Sequence, residues 1–411
     1  MSSSIPQVSI SALLKKTEHY DKDERYMATS DLCEVLKRHS GGEGAAVAGA
    51  FLDANTERQI CTAVLRLLHD KSNDVQAIAV KTLGVLLTTV QREQVLEIAD
   101  SLADQVLDAS KSELRDVYTI GLRTLVKTIP SSAGNEVAHR LVGRLLDGIR
   151  TSDNEEIVLC CLDVLTDLLG RFGGTSQAVS RQHEAILQMC LTQLSRSSSS
   201  GGDHTASPLV RKRTGNTLAG LSVVLSDPLL MRMVQSLLKL IERSVGVGKE
   251  GRKRSAQSDE SAEPKTTVDD TRALIRTMCS VAGAVGHRLG QEQIDQIIPI
   301  FLRFTDPDDA ITGDDEQDDD EEMDDDYPGD DDEAAVALAN ELRESCFMGF
   351  ESFILRCPNE VEGHLRKILE AALAYMSYDP NYAYGDGEED ENEDAEEDEY
   401  EVSCRLFFYE L

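Results

Sequence analysis

The chain has 411 residues, 41 Lys and Arg against 75 Asp and Glu, a net charge of −34, and 41% apolar residues. Its length suggests roughly two to three ordinary domains, and that apolar share is enough for a sizeable core, which excludes wholesale disorder. Of the acidic residues, 18 lie in 306–333 and 13 in 379–401, neither run holding Lys or Arg, so the remainder carries only −3; such a body lacks the clustered cations that nucleic acid or anionic lipid require.

The first sixteen residues have no basic stretch followed by an apolar core, and no run approaches the ~18 apolar residues of a spanning helix. The reading expects a soluble intracellular protein with no membrane and no nucleic acid among its partners. From there apolar residues recur at three- and four-residue steps, and alternating β-like runs are missing. The first predicted hairpin has a second helix opened by Asp23-Glu24-Arg25-Tyr26-Met27-Ala28, with Leu32 following, and ends at a Gly/Ala-rich insert, 40–54. Ile60, Val64, Leu67 and Leu68 form the next stripe. Asp74-Val75-Gln76-Ala77 opens its partner helix, which carries Ala79, Leu83, Leu86 and Leu87. Glu113-Leu114-Arg115-Asp116-Val117 opens the third second helix and Pro130 marks the break after it. Glu156-Ile157-Val158 leads into Cys161, Leu162, Leu165, Leu168 and Leu169, closed by Gly173 and Gly174. A Ser/Gly/His insert, 195–207, precedes Leu209-Val210-Arg211, and Pro228 ends that hairpin. A Lys/Ser/Glu-rich insert, 246–267, precedes Asp270-Thr271-Arg272. Ile297-Ile298-Pro299-Ile300 predicts a kinked first helix. The acidic insert 306–333 follows, helix-forming residues resume at Ala334, and Glu341-Leu342-Arg343 opens the seventh second helix. Residues 360–377 make a last unit before the acidic tail 379–411.

Taking Arg25, Gln76, Arg115, Val158, Arg211, Arg272 and Arg343 as register marks, the steps are 51, 39, 43, 53, 61 and 71 residues. HEAT and armadillo units run about 40–47 residues, and the longer steps return to that range once the inserts are removed. One helical hairpin cannot bury its stripe alone, so hairpins stack and share a continuous core. Inserts are tolerated in the turns because loop entropy grows only logarithmically with length. The expected fold is therefore all-α: a HEAT/armadillo-type α-solenoid of about eight hairpins over 1–378, with disordered polar and acidic inserts and a disordered tail. A compact helical bundle is the alternative, and it leaves the repeated Asp/Glu-x-Val/Leu-Arg opening unexplained.

Chemistry is sought and not found. The eight histidines (His19, His39, His69, His139, His183, His204, His287, His364) lie singly, as helix-end or surface residues, and none makes the H-E-x-x-H face that holds zinc. The nine cysteines are odd in number and scattered, without a C-x-x-C pair, and read as small buried hydrophobes of a reducing compartment. Gly246-Val247-Gly248-Lys249 is too short for a phosphate loop, and no G-x-S-x-G elbow exists. An EF-hand loop begun at Asp306 puts Ile311 where Gly is needed, and one begun at Asp379 puts Tyr384 there. Trp is absent and aromatics are 5%, which disfavours base stacking. No catalytic, cofactor-binding or metal residue is expected, no cofactor is implied, and no partner-binding residue is singled out. Lys249 to Arg254 fits a nuclear-import cluster, Arg211-Lys212-Arg213 reads as exposed helix charge, and the functional reading kept for the acidic runs is steering of a basic partner.

Several segments carry a family resemblance. Tyr378-Asp379-Pro380-Asn381-Tyr382-Ala383-Tyr384 before an acidic run is similar to the segment after the eighth repeat of the cullin-associated and neddylation-dissociated proteins. Asp21-Lys22-Asp23-Glu24-Arg25-Tyr26-Met27-Ala28-Thr29, Val210-Arg211-Lys212-Arg213-Thr214, Gly286-His287-Arg288-Leu289-Gly290 and Arg356-Cys357-Pro358 resemble their first, fifth, sixth-to-seventh and seventh repeats. The resemblance runs from about Ile5 to Glu401. It implies a noncatalytic HEAT-repeat scaffold whose N-terminal repeats hold a cullin and its RING subunit in the cytoplasm and nucleus, within a factor that exchanges substrate receptors on cullin-RING ubiquitin ligases. The inserts exceed the family pattern. The apolar residues 402–411 are unlike the repeat that follows in the family, so a truncated product, or a separate chain carrying the remaining repeats, is expected. A HEAT-type nuclear transport receptor or phosphatase scaffold is the alternative.

Overall fold

The computed structural model describes residues 10–40, 53–196, 207–255, 263–305 and 330–377. Among these residues the chain is helical throughout, without a strand. The helices pair as α1 (Ile10–Lys16) with α2 (Lys22–Ser40), α3 (Ala54–Leu67) with α4 (Asn73–Leu86), and α5 (Arg92–Leu107) with α6 (Arg115–Thr128). Then come α7 (Ser131–Thr151) with α8 (Glu155–Phe172), and the split first helix α9 (Gln177–Ser180) and α10 (His183–Ser195) with α11 (Pro208–Val224). The last pairs are α12 (Asp227–Ser255) with α13 (Glu263–Val285) and α14 (Gln291–Thr305) with α15 (Asp330–Arg356), followed by the short α16 (Pro358–Val361) and α17 (Leu365–Ser377).

Local chemistry starts these helices where the sequence suggests. Asp53 accepts from the backbone N–H groups of Asn55 and Thr56, and Asn154 from those of Glu156 and Ile157, so orphan donors of the first turn are satisfied. Ser207 caps α11 and Pro208, whose ring pre-sets φ and lacks an N–H, stands in its first turn. The predicted stripes all face inward: Ile60, Val64, Leu67, Leu68, Ala79, Leu83, Leu86, Leu87, Leu162, Leu165, Leu168 and Leu169 are buried and belong to one core that runs from Leu13 to Ile368.

Second helices of successive hairpins pack more closely on one another than first helices do, so the stack curves with the second helices on its inner side. Small residues permit the approach. A Cβ on Gly215 of α11 would stand 2.6 Å from Thr277 Oγ1 of α13, and Thr166 of α8 meets Thr217 of α11 hydroxyl to hydroxyl at 2.8 Å. Gly349 of α15 lies against Phe301 and Cys279, where no Cβ fits.

The register marks are structural. Arg25 donates to the carbonyls of His19 and Tyr20 in its own hairpin turn and to both carboxylate oxygens of Asp70 in the next hairpin. Arg115 pairs with Glu156 and donates to the Asp108 carbonyl; Arg211 pairs with Asp270 and donates to the Arg196 carbonyl. Arg272 pairs with Glu341. Gln76 donates to the Asp70 carbonyl at 2.6 Å, and buried Arg343 to Asn340 Oδ1 at 2.9 Å. A fork of five N–H donors suits this position, because it can tie its own turn and reach the following repeat at once.

Four expectations need correction. The Asp270 and Glu341 motifs lie within α13 and α15 rather than opening them: α13 already starts at Glu263, with Pro264 tolerated in its first turn, and the alanine-rich sequence ahead of Glu341 favours helix in α15. Helix α15 begins at Asp330, four residues before Ala334. The insert expected at 246–267 is largely helical backbone, with α12 running to Ser255 and α13 starting at Glu263. The eighth unit is a first helix only, so the described residues make seven hairpins and one further helix. Pro299 does lie inside α14. Residues 41–52, 197–206, 256–262, 306–329 and 378–411 lie outside the described residues, and with them the disorder expected of inserts and tail, His204, Cys404 and the Tyr378–Tyr384 motif.

Candidate functional site

The reactive side chains are dispersed and occupied. Cys33, Cys61, Cys160, Cys161, Cys190, Cys346 and Cys357 are buried free thiols, and Cys279 is half-buried. Burial pushes the thiols of Cys61, Cys161, Cys190 and Cys279 up to about 12, far from the thiolate that nucleophilic work needs. His183 opens α10, as the helix-end reading expects, and is buried with its Nε2 3.2 Å from the Gly173 carbonyl, a structural role. His364 stands 2.7 Å from Asp295 at the α17–α14 contact. Among the described residues no three His, Cys, Asp or Glu side chains converge as a metal site, and no helix is long and apolar enough to cross a membrane.

What the fold does build is a surface. Each second helix buries one side on its partner first helix and two flanks on neighbouring second helices, which leaves one row facing the inside of the curve. On α4 the row is Ala77, Lys81, Gly84 and Val85, continued by Thr88 in the turn after it; on α6 it is Asp116, Ile120, Arg123, Thr124 and Lys127. On α11 it passes through Lys212, Asn216, Gly220 and Val223, and on α15 through Glu344, Met348, Glu351 and Leu355. Large apolar side chains stand out on it: Ile120, Val223 and Met348 are each half exposed and Leu355 is 70% exposed. An inner face that alternates apolar anchors with charge is suited to a protein partner.

Charges cross this face from repeat to repeat. Lys127 and Arg123 of α6 reach Asp167 of α8, at 3.7 and 2.6 Å, and Asp163 of α8 is 3.2 Å from Arg213 of α11. Burial raises the Asp163 carboxyl above its ordinary range although Arg213 and Arg123 pull it down, while the hydrogen bond to Asp167 raises Arg123. The two carboxylates are recessed, 20% and 15% exposed, whereas Lys127 is 61% exposed. Several arginines of the outer layer also find acidic partners in neighbouring hairpins: Arg66 with Glu18, Arg92 with Glu136, Arg140 with Asp100, Arg144 with Asp104, and Arg232 with Glu184.

Some residues singled out in the sequence take unexpected places. The Arg211-Lys212-Arg213 cluster divides, with Arg211 buried and paired and Lys212 and Arg213 exposed, because consecutive helical residues are 100° apart. Arg288 of the Gly-His-Arg-Leu-Gly motif is a clasp: it donates to the carbonyls of Ser222 and Leu225 at the end of α11 and to Asp227. Side chains of Lys249 to Arg254 lie outside those described. The inner row was signalled by the sequence, since its polar and apolar positions follow the register mark at steps of about 1, 5, 8–9 and 12, but which side of the helix stays open is decided by stacking.

No protein-family model matches the chain. It is 31% identical over 382 residues to cullin-associated NEDD8-dissociated protein 2 of Mus musculus, covering 91% of this chain and 25% of that protein. It is likewise 31% identical over 396 residues to cullin-associated NEDD8-dissociated protein 1 of Drosophila melanogaster, covering 95% and 26%. The chain thus spans about a quarter of the length of the curated relatives it matches. Among solved structures it is similar to Kap121p bound to Pho4p, with a TM-score of 0.54 and 12% identity over 91% of this chain and 32% of that one. It is also similar to Kap95p, solved with RanGDP, with a TM-score of 0.53 and 11% identity over 91% and 41%. At such identities these two show the fold alone, a HEAT-type α-solenoid. By sequence the chain is similar to the cullin-associated NEDD8-dissociated proteins, over a segment about a quarter of their length that is consistent with their N-terminal region.

Proposed function

We propose that this chain is a noncatalytic scaffold that binds a cullin together with its RING subunit, in cytoplasm and nucleus, through the inner face of its second helices. The observation that carries the reading is the 31% identity to cullin-associated NEDD8-dissociated proteins across nine-tenths of the chain. The inner face supports it: a row of apolar anchors on stacked helices fits an extended protein surface. In this reading the chain contributes one half of a linkage. It grips the cullin, and repeats beyond its own, on the same or a second polypeptide, compete with the substrate receptor, so two mutually exclusive partners are coupled through one scaffold. The test is affinity capture with the purified chain, read by mass spectrometry, followed by titration against a purified cullin–RING complex. Recovery of cullin and RING chains is expected, and Ile120→Asp with Met348→Asp should weaken the complex at least about tenfold. Recovery of a small GTPase or a phosphatase subunit in place of a cullin would overturn it in favour of a transport or phosphatase scaffold.

A further inference from the structure

Of the ten prolines in the chain, Pro208 alone follows a serine or threonine. That residue, Ser207, stands where two second helices begin. Its backbone is extended, with φ −61° and ψ 157°, and its Oγ caps α11 by accepting from the Val210 N–H at 3.2 Å. The hydroxyl proton points elsewhere: Ser207 donates to the carboxylate of Glu155, the exposed first residue of α8, 52 residues away. This bond ties the starts of α8 and α11, whose middles meet through Thr166 and Thr217. Ser207 is half-buried, and Pro208 and Leu209 beside it are exposed.

We propose that Ser207 is a phosphorylation site for a proline-directed protein kinase, and that the phosphate loosens the α8–α11 junction. Such a kinase takes a serine in extended backbone, and a proline after it has no N–H to leave unpaired in the cleft. Ser207 is already extended in the fold. The Pro208 ring holds φ at about −65° in a helix and in an extended segment alike, so presenting the dipeptide disturbs little of α11. In the transfer the Ser207 Oγ bonds to the γ-phosphorus of a nucleoside triphosphate and the bond from that phosphorus to the β-phosphate oxygen breaks. The nucleoside diphosphate leaves, and the hydroxyl proton passes to the kinase's carboxylate base. The product has no proton to give to Glu155. It carries about −1.5 to −2 charges beside that carboxylate, so a hydrogen bond between two helix starts becomes a repulsion. A phosphate oxygen can still accept from the Val210 N–H, so the strain falls on the junction and not on the start of α11. Lys212, Asn216 and Val223 of the inner row lie on α11, so the modification tunes the face assigned above to the partner. That last clause rests on the proposed function; the site and its effect on the junction do not.

The first arm incubates the folded full-length chain with a mitogen-activated protein kinase and ATP and locates the phosphate by mass spectrometry. Incorporation at Ser207 is expected, with loss in Ser207→Ala and at least about tenfold slower incorporation in Pro208→Ala, which keeps the hydroxyl and the cap. The second arm measures amide hydrogen exchange in the first turns of α8 and α11 before and after phosphorylation. Exchange there should rise about three- to tenfold in the phosphorylated chain, and in a Glu155→Gln background, where no second anion faces the phosphate, the rise should shrink to less than about twofold. A chain left unmodified at Ser207, equal incorporation in Pro208→Ala, unchanged exchange after phosphorylation, or an undiminished rise in Glu155→Gln each overturns the proposal. Neither arm contains a cullin. Phosphorylation that loosens the junction of a chain that captures no cullin would therefore sink the proposed function and leave this site standing.

Discussion

Removing the acid of one inter-repeat pair tests whether the buried arginines hold the stack together. Arg211 and Asp270 are both buried, 4% and 9% exposed, and are joined between α11 and α13. Asp270→Ala leaves the guanidinium in a site from which water is excluded, with the Arg196 carbonyl as a remaining acceptor. Breaking a buried pair from one side costs about 3–5 kcal/mol, some two to four decades in the open-to-closed equilibrium at that junction. The Arg115–Glu156 pair supplies the contrast. Arg115 is equally buried, but Glu156 is 63% exposed, so Glu156→Ala should cost at most about 1 kcal/mol, water taking the carboxylate's place. A solenoid opens by segments, so the assay is urea unfolding by far-UV circular dichroism together with amide hydrogen exchange resolved to α11, α13, α6 and α8. The expected result is a lower midpoint and lost protection at α11–α13 for Asp270→Ala, with near-native behaviour for Glu156→Ala. Replacing both Arg211 and Asp270 by apolar residues of similar volume should recover much of the loss. Equal and small effects from both single substitutions would refute the reasoning, since burial would then not set the cost.

Close packing of the second helices predicts that Gly215→Ala, which meets the Thr277 hydroxyl already bonded to the Ala273 carbonyl, destabilises by about 1–3 kcal/mol. Gly143→Ala, with nothing within 4 Å of the new methyl, should stabilise by up to about 1 kcal/mol, and thermal melts of the two variants check both signs. Burial holds His69, against Tyr118 and Lys111, and His183 below the ordinary histidine value of 6.5. Below about pH 6.5 the unfolded chain therefore binds more protons than the folded one, and stability falls as pH drops; replacing both by Gln should flatten the urea midpoint between about pH 7 and 5, and an unchanged slope contradicts this. With the thiols of Cys61, Cys161 and Cys190 held near 12, these three should react with an aromatic disulfide reagent at pH 8 far more slowly in the native than in the unfolded chain, and fast native labelling of any of them would show that its helix opens readily.

The sequence by itself determined the helices, their pairing and the stack. Stripes such as Ile60–Val64–Leu67–Leu68 and Leu162–Leu165–Leu168–Leu169 carry the helical period within a few residues, and a recurring Asp/Glu-x-Val/Leu-Arg opening sets the repeat. Both are local signals, so they survive without knowledge of the fold. Even so, Asp270-Thr271-Arg272 and Glu341-Leu342-Arg343 were misplaced at helix starts: α13 begins at Glu263, with Pro264 in its first turn, and an alanine-rich lead-in extends α15 backwards. What only the tertiary structure decided is non-local. Arg25 finds Asp70 across 45 residues, Arg115 finds Glu156 across 41, and Arg211 finds Asp270 across 59, and no local pattern names these partners. The same holds for the surface that matters to function. Arg211 and Arg213 look alike in the chain, yet one is sealed in the stack and the other lies on the inner row beside Asp163. Periodicity says which residues share a side of a helix; which side the neighbouring repeats leave open depends on how closely the second helices approach, and Gly215 against Thr277 decides that in three dimensions.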